Sequence, residues 1–181
     1  LPGEAVEDVI MGCGNPEGAQ GHNIGRNAAV LSKLPMTTGG TTVNRYCSSG
    51  MQSISMAASQ IMAGCYDTVI AGGAETISMM NMNMDNFVNE RLAEEVPGIY
   101  FPMGMTAEVV AKRYDVSREA QDEYAFESQM RTAAAQQSGA YDDEIIPMET
   151  KMLLTNKETG DSKEVEYLSL IHISEPTRRR T

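Results

Sequence analysis

Tryptophan is absent from the 181 residues, and phenylalanine occurs three times. Positive charge is also scarce: 14 basic side chains face 25 acidic ones, a formal charge of −11. Nucleic acids and anionic membranes are bound through clustered Lys and Arg, so this balance argues against both as partners. No apolar run reaches the roughly 18 residues of a membrane span. Cys13, Cys47 and Cys65 are an odd number at wide spacing, with no CxxC pair and no metal-ligand pattern. That excludes a disulfide scaffold, predicts no metal site and fits a reducing compartment. The first residues, Leu1-Pro-Gly-Glu-Ala5, lack the basic start and apolar stretch of a signal peptide. They also lack an initiator Met, so the chain is expected to begin inside a longer one. What is present, 41% hydrophobic and 22% charged residues, suffices for one domain with a core or for part of a larger one. Methionine, a flexible core filler, occurs 14 times.

The C-terminal segment stands apart. Leu168 to Arg178 reads like the translation of a transposase-type sequencing-library adaptor, followed by Arg179, Arg180 and Thr181. Residues 168–181 are therefore expected to be read-through and are set aside from fold reasoning. Without them 11 basic and 24 acidic residues remain, a charge of −13, and His22 is the remaining histidine.

Asp8-Val-Ile-Met-Gly12 is a short apolar run ending in a turn, as in a buried strand. Asn23 can cap a helix to about Leu34, and Pro35 follows its end. Thr41 to Tyr46 reads as a strand by its β-branched and aromatic content. Ser48 or Ser49 can cap the next helix, which runs to about Met62 with Met51, Ile54, Ala58, Ile61 and Met62 at helical spacing. Gly64 ends it. Asp67 to Ala71 is a third strand, closed by Gly72-Gly73. Strand, helix, strand, helix, strand predicts an α/β fold with a mostly parallel sheet and right-handed crossovers. After about Ile77 the character changes to a Met- and Asn-rich stretch, 78–103, with weak periodicity. Met105 to Tyr114 reads as a helix. Ser117 caps a longer one that stops at Gly139 and packs on one side. Glu144 to Met148 and Lys151 to Thr155 read as short strands, with Glu164 to Tyr167 pairing back.

Cys47 lies between a predicted strand and a predicted helix. A side chain there is held at a sharp turn near free N–H groups and the positive end of the helix dipole, which favour thiolate over thiol. Such a thiolate is a nucleophile, and the Cys47 N–H can help hold an oxyanion. The local residues leave a second role open, that of a small buried hydrophobe. Cys13 and Cys65 lack this setting and read as structural.

Asn44-Arg-Tyr-Cys-Ser-Ser-Gly-Met-Gln52 closely resembles the nucleophile segment of the thiolase family, the acetyl-CoA C-acyltransferases. Gly72-Gly-Ala-Glu75 resembles the family's Gly-Gly-x-Glu, and Met103-Gly-Met-Thr-Ala-Glu108 its Met-Gly-x-Thr-Ala-Glu. Ser117 to Ala125 and Gly139 to Pro147 resemble its long helix and the strand beyond. The segments fall in family order and span nearly all of residues 5–150.

The resemblance implies a thiolase-like fold of two similar α/β halves with a loop domain inserted in the first. Residues 1–77 would be part of the N-terminal domain and 78–167 part of the loop domain. It implies thiolytic cleavage of 3-ketoacyl-CoA by CoA, or the reverse condensation, with Cys47 carrying the acyl group as a thioester. CoA is a substrate, and no cofactor is implied. Met103 would line the acyl and pantetheine pocket, with core packing as its competing role. Pro102 stands where the family often has His, which fits a subtype with another substrate range. Asn44 and Arg45 would orient the nucleophile turn. Asn23 and Arg26 match family positions without a catalytic role, and His22 is expected at a solvated turn. Lys112, Arg113, Arg118 and Lys151 are candidates for the phosphates of CoA, against the plainer role of a solvated face.

The family also uses a His in Gly-His-Pro, a second Cys in Cys-x-Gly and an Asn that positions a water. None of these motifs occurs here, so the chain is expected to be a fragment of the N-terminal half, close to inactive by itself. Family members are usually homodimers or homotetramers, and a cytoplasmic location is expected, or the mitochondrial matrix or peroxisome in a eukaryote. Two other readings stay open at this point: another condensing enzyme of the superfamily, and a thiolase-like acyl-CoA- or lipid-binding protein.

Overall fold

A computed structural model describes residues 1–77, 88–156 and 159–169. The chain divides into two compact units, Leu1–Leu92 and Ala93–Thr181. The first holds β1 (Asp8–Gly12), α1 (Ile24–Leu31), β2 (Thr41–Val43), α2 (Ser49–Met62) and β3 (Val69–Gly73), in the alternation expected. β1 is the central strand, parallel to β2 through Ile10–Gly12 and to β3 over its whole length.

Successive side chains of a strand point to opposite faces. On one face of β1, Val9 packs with Val6 and Ala29 of α1, flanked by Met11 and Leu34. On the other face lies Gly12. A Cβ there would sit 2.2 Å from the carbonyl carbon of Ser49, so α2 crosses in backbone contact with the strand. The two helices therefore cover opposite faces of the sheet. Ser53, fully buried, seals the α2 contact with a hydroxyl 2.8 Å from the Gly72 carbonyl.

α2 corrects one expectation. Its buried residues are Ser49, Ser53 and Ala57, four apart, and not the apolar stripe. Met51 is 76% and Ile54 59% exposed. The reason is distance: where glycines of β1 and β3 bring the helix against the strand backbone, only small side chains fit between. The apolar stripe is left facing away from the sheet.

The helix ends follow a common physical rule. α1 and α2 are each closed by a residue in the left-handed region followed by a bond to the third-last carbonyl, the Schellman arrangement. Lys33 (φ 58°) and Gly64 (φ 72°) take that conformation, and Leu34 and Cys65 donate to Ala29 and Gln60. α1 thus stops at Leu31, short of the expected Leu34. β2 stops at Val43, short of Tyr46, because Tyr46 itself turns left-handed (φ 47°). At the start of α1, Asn23 accepts the Arg26 N–H at 3.1 Å and donates to the Gly40 carbonyl at 2.7 Å, tying the helix to the chain entering β2.

α3 (Glu90–Glu95) lies in the stretch of weak periodicity, and the division between the units falls within it. The second unit holds α4 (Met103–Arg113), α5 (Arg118–Gln137), β4 (Met148–Thr155) and β5 (Ser162–Ser169). Ser117 caps α5 by accepting the Ala120 N–H, and Gly139 (φ 73°) closes it. Ion pairs Arg118–Asp122 and Glu127–Arg131, each one turn apart, lie on its exposed surface, where solvent screens them. β4 and β5 form an antiparallel hairpin from Met148↔Ser169 to Thr155↔Ser162. The strand expected over Glu144 to Met148 is absent; turn bonds from Asp142 and Glu144 back to Gly139 and Tyr141 occupy that backbone, and β4 begins at Met148. Leu168 and Ser169 of the suspected read-through belong to β5, and residues 170–181 lie outside the described residues.

Among the described residues nothing beyond Ala57 is buried. α5 carries Tyr124, Phe126 and Met130 in the open.

Candidate functional site

The site is built where β2 gives way to α2. The turn between them, Asn44 to Ser48, is closed by short-range bonds. Asn44 Oδ1 accepts the Tyr46 N–H at 2.9 Å, a side chain imitating a backbone turn. The Ser48 and Ser49 N–H groups donate to the Arg45 and Tyr46 carbonyls. The Ser49 hydroxyl accepts from the Arg45 N–H at 2.9 Å and donates to the Tyr46 carbonyl at 2.5 Å. Ser48 occupies the N-cap position without a side-chain cap bond. Of the two serines read as possible caps, neither caps: Ser49 reaches backwards and fastens the turn.

Tyr46 is the strained residue of this turn. A bulky side chain at positive φ costs on the order of 1–3 kcal/mol, and such positions persist where the surroundings impose them. Cys47 follows it directly. Its thiol is free and exposed, so the alternative of a small buried hydrophobe does not hold. It lines a cavity of about 410 Å³ together with Gly12, Gly14, Gly50, Ala74 and Glu75, all of the first unit.

Glu75, just beyond β3, ties the far wall of that cavity together. Its carboxylate accepts the Gly14 N–H at 2.7 Å and the side-chain amide of Gln20, and stands 3.6 Å from Cys13 Sγ. A Cβ on Gly14 would meet both this carboxylate (2.9 Å) and the Tyr46 carbonyl (3.3 Å). The bare Gly14 backbone is therefore the contact between the Glu75 anchor and the turn that carries Cys47. The sequence showed Glu75 as a motif residue; its partners were not legible because they come from a loop some sixty residues away.

The other cysteines differ from Cys47 and from each other. Cys13 is 1% exposed. Burial pushes its thiol pKa up; a backbone bond from Asn15 pulls it down, and the Glu75 carboxylate raises it further. A thiol whose pKa is raised on folding lends stability that is fully present below its unfolded value and lost as pH climbs through its folded value. Urea midpoints are therefore expected to fall above about pH 8.5, and Cys13→Ser is expected to remove that part of the slope. An identical alkaline slope in the variant would refute the assignment. Cys65 is exposed beyond the end of α2, where its backbone N–H closes the helix.

Arg26 donates to the Thr38 and Met36 carbonyls and holds the loop between α1 and β2, a structural duty like that of Asn23. His22 is exposed at positive φ and is not among the residues lining the Cys47 cavity. Met103 opens α4 in the second unit and is 73% exposed. Lys112 and Arg113 end α4, whereas Arg118 is engaged with Asp122, and Lys151 with Glu164 at 2.7 Å. No group of His, Cys, Asp and Glu able to hold a metal ion occurs among the described residues.

Comparison with known proteins converges on one family. The family model described as "Thiolase, N-terminal domain" matches residues 1–171. The 3-ketoacyl-CoA thiolase of Bacillus subtilis (strain 168) is 47% identical over 179 residues, covering 97% of this chain and 44% of that protein. The 3-oxoadipyl-CoA/3-oxo-5,6-dehydrosuberyl-CoA thiolase of Escherichia coli (strain K12) is 38% identical over 170 residues, 83% of this chain and 42% of the other. Among solved structures, the Bacillus anthracis acetyl-CoA acetyltransferase superposes with a TM-score of 0.69 at 32% identity, over 93% of this chain and 43% of that one. The chain thus spans less than half the length of these relatives.

Proposed function

From a chain that belongs to the thiolase family, matching its N-terminal domain, we propose a protein that moves acyl groups between 3-ketoacyl-CoA and CoA with Cys47 as nucleophile. The observation that carries this is the exposed Cys47 thiol, held at a strand-to-helix turn on the wall of a cavity.

In the proposed reaction the Cys47 thiolate adds to the 3-keto carbon. The bond between C2 and C3 breaks, its electron pair passes to C2 as the enolate of acetyl-CoA, and that carbon takes up a proton. The shortened acyl group stays on Cys47 as a thioester until the thiolate of CoA attacks it and expels the Cys47 sulfur. Negative charge gathers on the carbonyl oxygen in both steps. The Cys47 N–H is its proposed donor, beside the first turn of α2, whose N–H groups lack intrahelical partners. Gly50, on the cavity wall, presents backbone with open space beside it, so a thioester can lie against it. Met103 is proposed for the acyl and pantetheine pocket, and Lys112 and Arg113 are the basic residues left for the phosphates of CoA. CoA enters as a substrate, with no further cofactor. The whole protein is proposed to be a cytoplasmic homodimer or homotetramer.

The test is acyl capture. Incubated with acetyl-CoA at about pH 8, where a thiol of ordinary pKa is partly ionised, the chain is expected to gain a hydroxylamine-labile acetyl group at Cys47. Peptide mass spectrometry reads its position. Cys65, equally free and exposed, is the internal reference, and acetylation of both at one rate would overturn the assignment.

A further inference from the structure

We propose that Ser49 is a positioning residue for Cys47, holding Tyr46 in the left-handed conformation that presents the thiol. The proposal rests on the reading of Cys47 as nucleophile.

The Tyr46 side chain is 76% exposed, so packing does not impose its backbone conformation. Hydrogen bonds do, and the Ser49 hydroxyl makes two of them. Ser49 is 4% exposed, and its hydroxyl spans the turn from the Arg45 N–H to the Tyr46 carbonyl. The same carbonyl also accepts the Ser49 N–H at 3.0 Å. That carbonyl shares a planar, trans peptide with the Cys47 nitrogen, so fixing it turns the Cys47 N–H to the opposite side. The Ser49 N–H and hydroxyl together hold this carbonyl, and the hydroxyl alone ties it to the Arg45 N–H, which closes the turn across Tyr46 and steadies the direction in which the nucleophile's own N–H points. Asn44 holds the Tyr46 N–H, but its bond leaves the peptide between Tyr46 and Cys47 free to rotate. Ser49 can do this because Gly12 seats the first turn of α2 directly on β1. With alanine at 49 the Arg45 N–H loses its partner, and Tyr46 can relax to negative φ.

The experiment uses the 181-residue chain and iodoacetamide. Alkylation at Cys47 is divided by alkylation at Cys65 in the same molecules, which cancels reagent and pH effects. Ser49→Ala is expected to lower this ratio about tenfold. Glycine takes positive φ without steric cost, so the double variant Tyr46→Gly with Ser49→Ala is expected to return to within about threefold of the parent. Loss of packing at Ser49 would give no such rescue. An unchanged ratio in Ser49→Ala, or a double variant no better than the single one, overturns the proposal. Should Ser49→Ala fail to fold by circular dichroism, a folded and reactive double variant supports it, and an unfolded one overturns it. The parent chain separates the two levels: Cys47 no faster than Cys65 there sinks the nucleophile reading, whereas a fast Cys47 indifferent to Ser49 sinks this proposal alone.

Discussion

Thiolysis of acetoacetyl-CoA by the 181-residue chain is expected to run at least about 10³-fold below that of the Bacillus subtilis thiolase to which 97% of it aligns. Proton transfer by a positioned side chain is commonly worth about 10² to 10⁴ in rate, and none of the described residues lining the cavity at Cys47 is a histidine. His22 sits exposed elsewhere, and His172 lies outside the described residues. The resemblance assigns the base to a Gly-His-Pro that these residues do not contain. A chimera in which residues 1–167 replace the aligned part of that thiolase is expected to recover thiolysis. Cys47→Ala in the chimera is expected to abolish it, since members of a nucleophile–base unit fail together. Full turnover by the chain alone would show that no outside base is needed. An active Cys47→Ala chimera would show that another group carries the acyl intermediate.

Replacing Gly12 by alanine is expected to lower the urea midpoint by about 1–2 M, a loss near 3 kcal/mol at an ordinary m-value. The added methyl would lie 2.2 Å from the Ser49 carbonyl carbon, 2.4 Å from its oxygen and 2.5 Å from the Gly50 nitrogen. Ordinary carbon contacts fall at about 3.5–4.0 Å, and these neighbours are backbone, which has no rotamer to yield. α2 must lift off β1, and the Ser49 bonds that set the turn go with it, so alkylation at Cys47 should fall alongside stability. Gly50→Ala is the control. Its Cβ meets nothing within 4 Å, and alanine is the better helix former. Equal midpoints for the two variants would remove the close approach of α2 from the account.

The alternation of strand and helix through β3 was legible because each element is short, periodic and punctuated by Gly, Pro or a capping side chain. Asn23, Ser117, Gly64 and Gly139 mark ends where the structure has them. Cys47 was legible for the same local reason, lying between a β-branched run and an amphipathic one. The inward face of α2 was not. Its periodicity named Met51, Ile54 and Ile61, but which stripe meets the sheet is decided by Gly12 and Gly73, which lie on other elements. Tyr46 was read as strand because aromatic residues favour strands; its left-handed turn depends on Ser49 and Asn44 acting together. Glu75 stood out in its motif, but its anchoring role did not, its donors Gly14 and Gln20 being distant in the chain.

β1, β2 and β3 all fall within the first 73 residues, and among the described residues none beyond Ala57 is buried. On a ribosome adding about 5–20 residues per second, the small sheet can close within seconds of leaving the exit tunnel. α4, α5 and the hairpin then emerge, with no buried side chain among their described residues. That later stretch, with Phe126, Met130 and Leu153 uncovered, is where a chaperone holding the nascent polypeptide would find its grip.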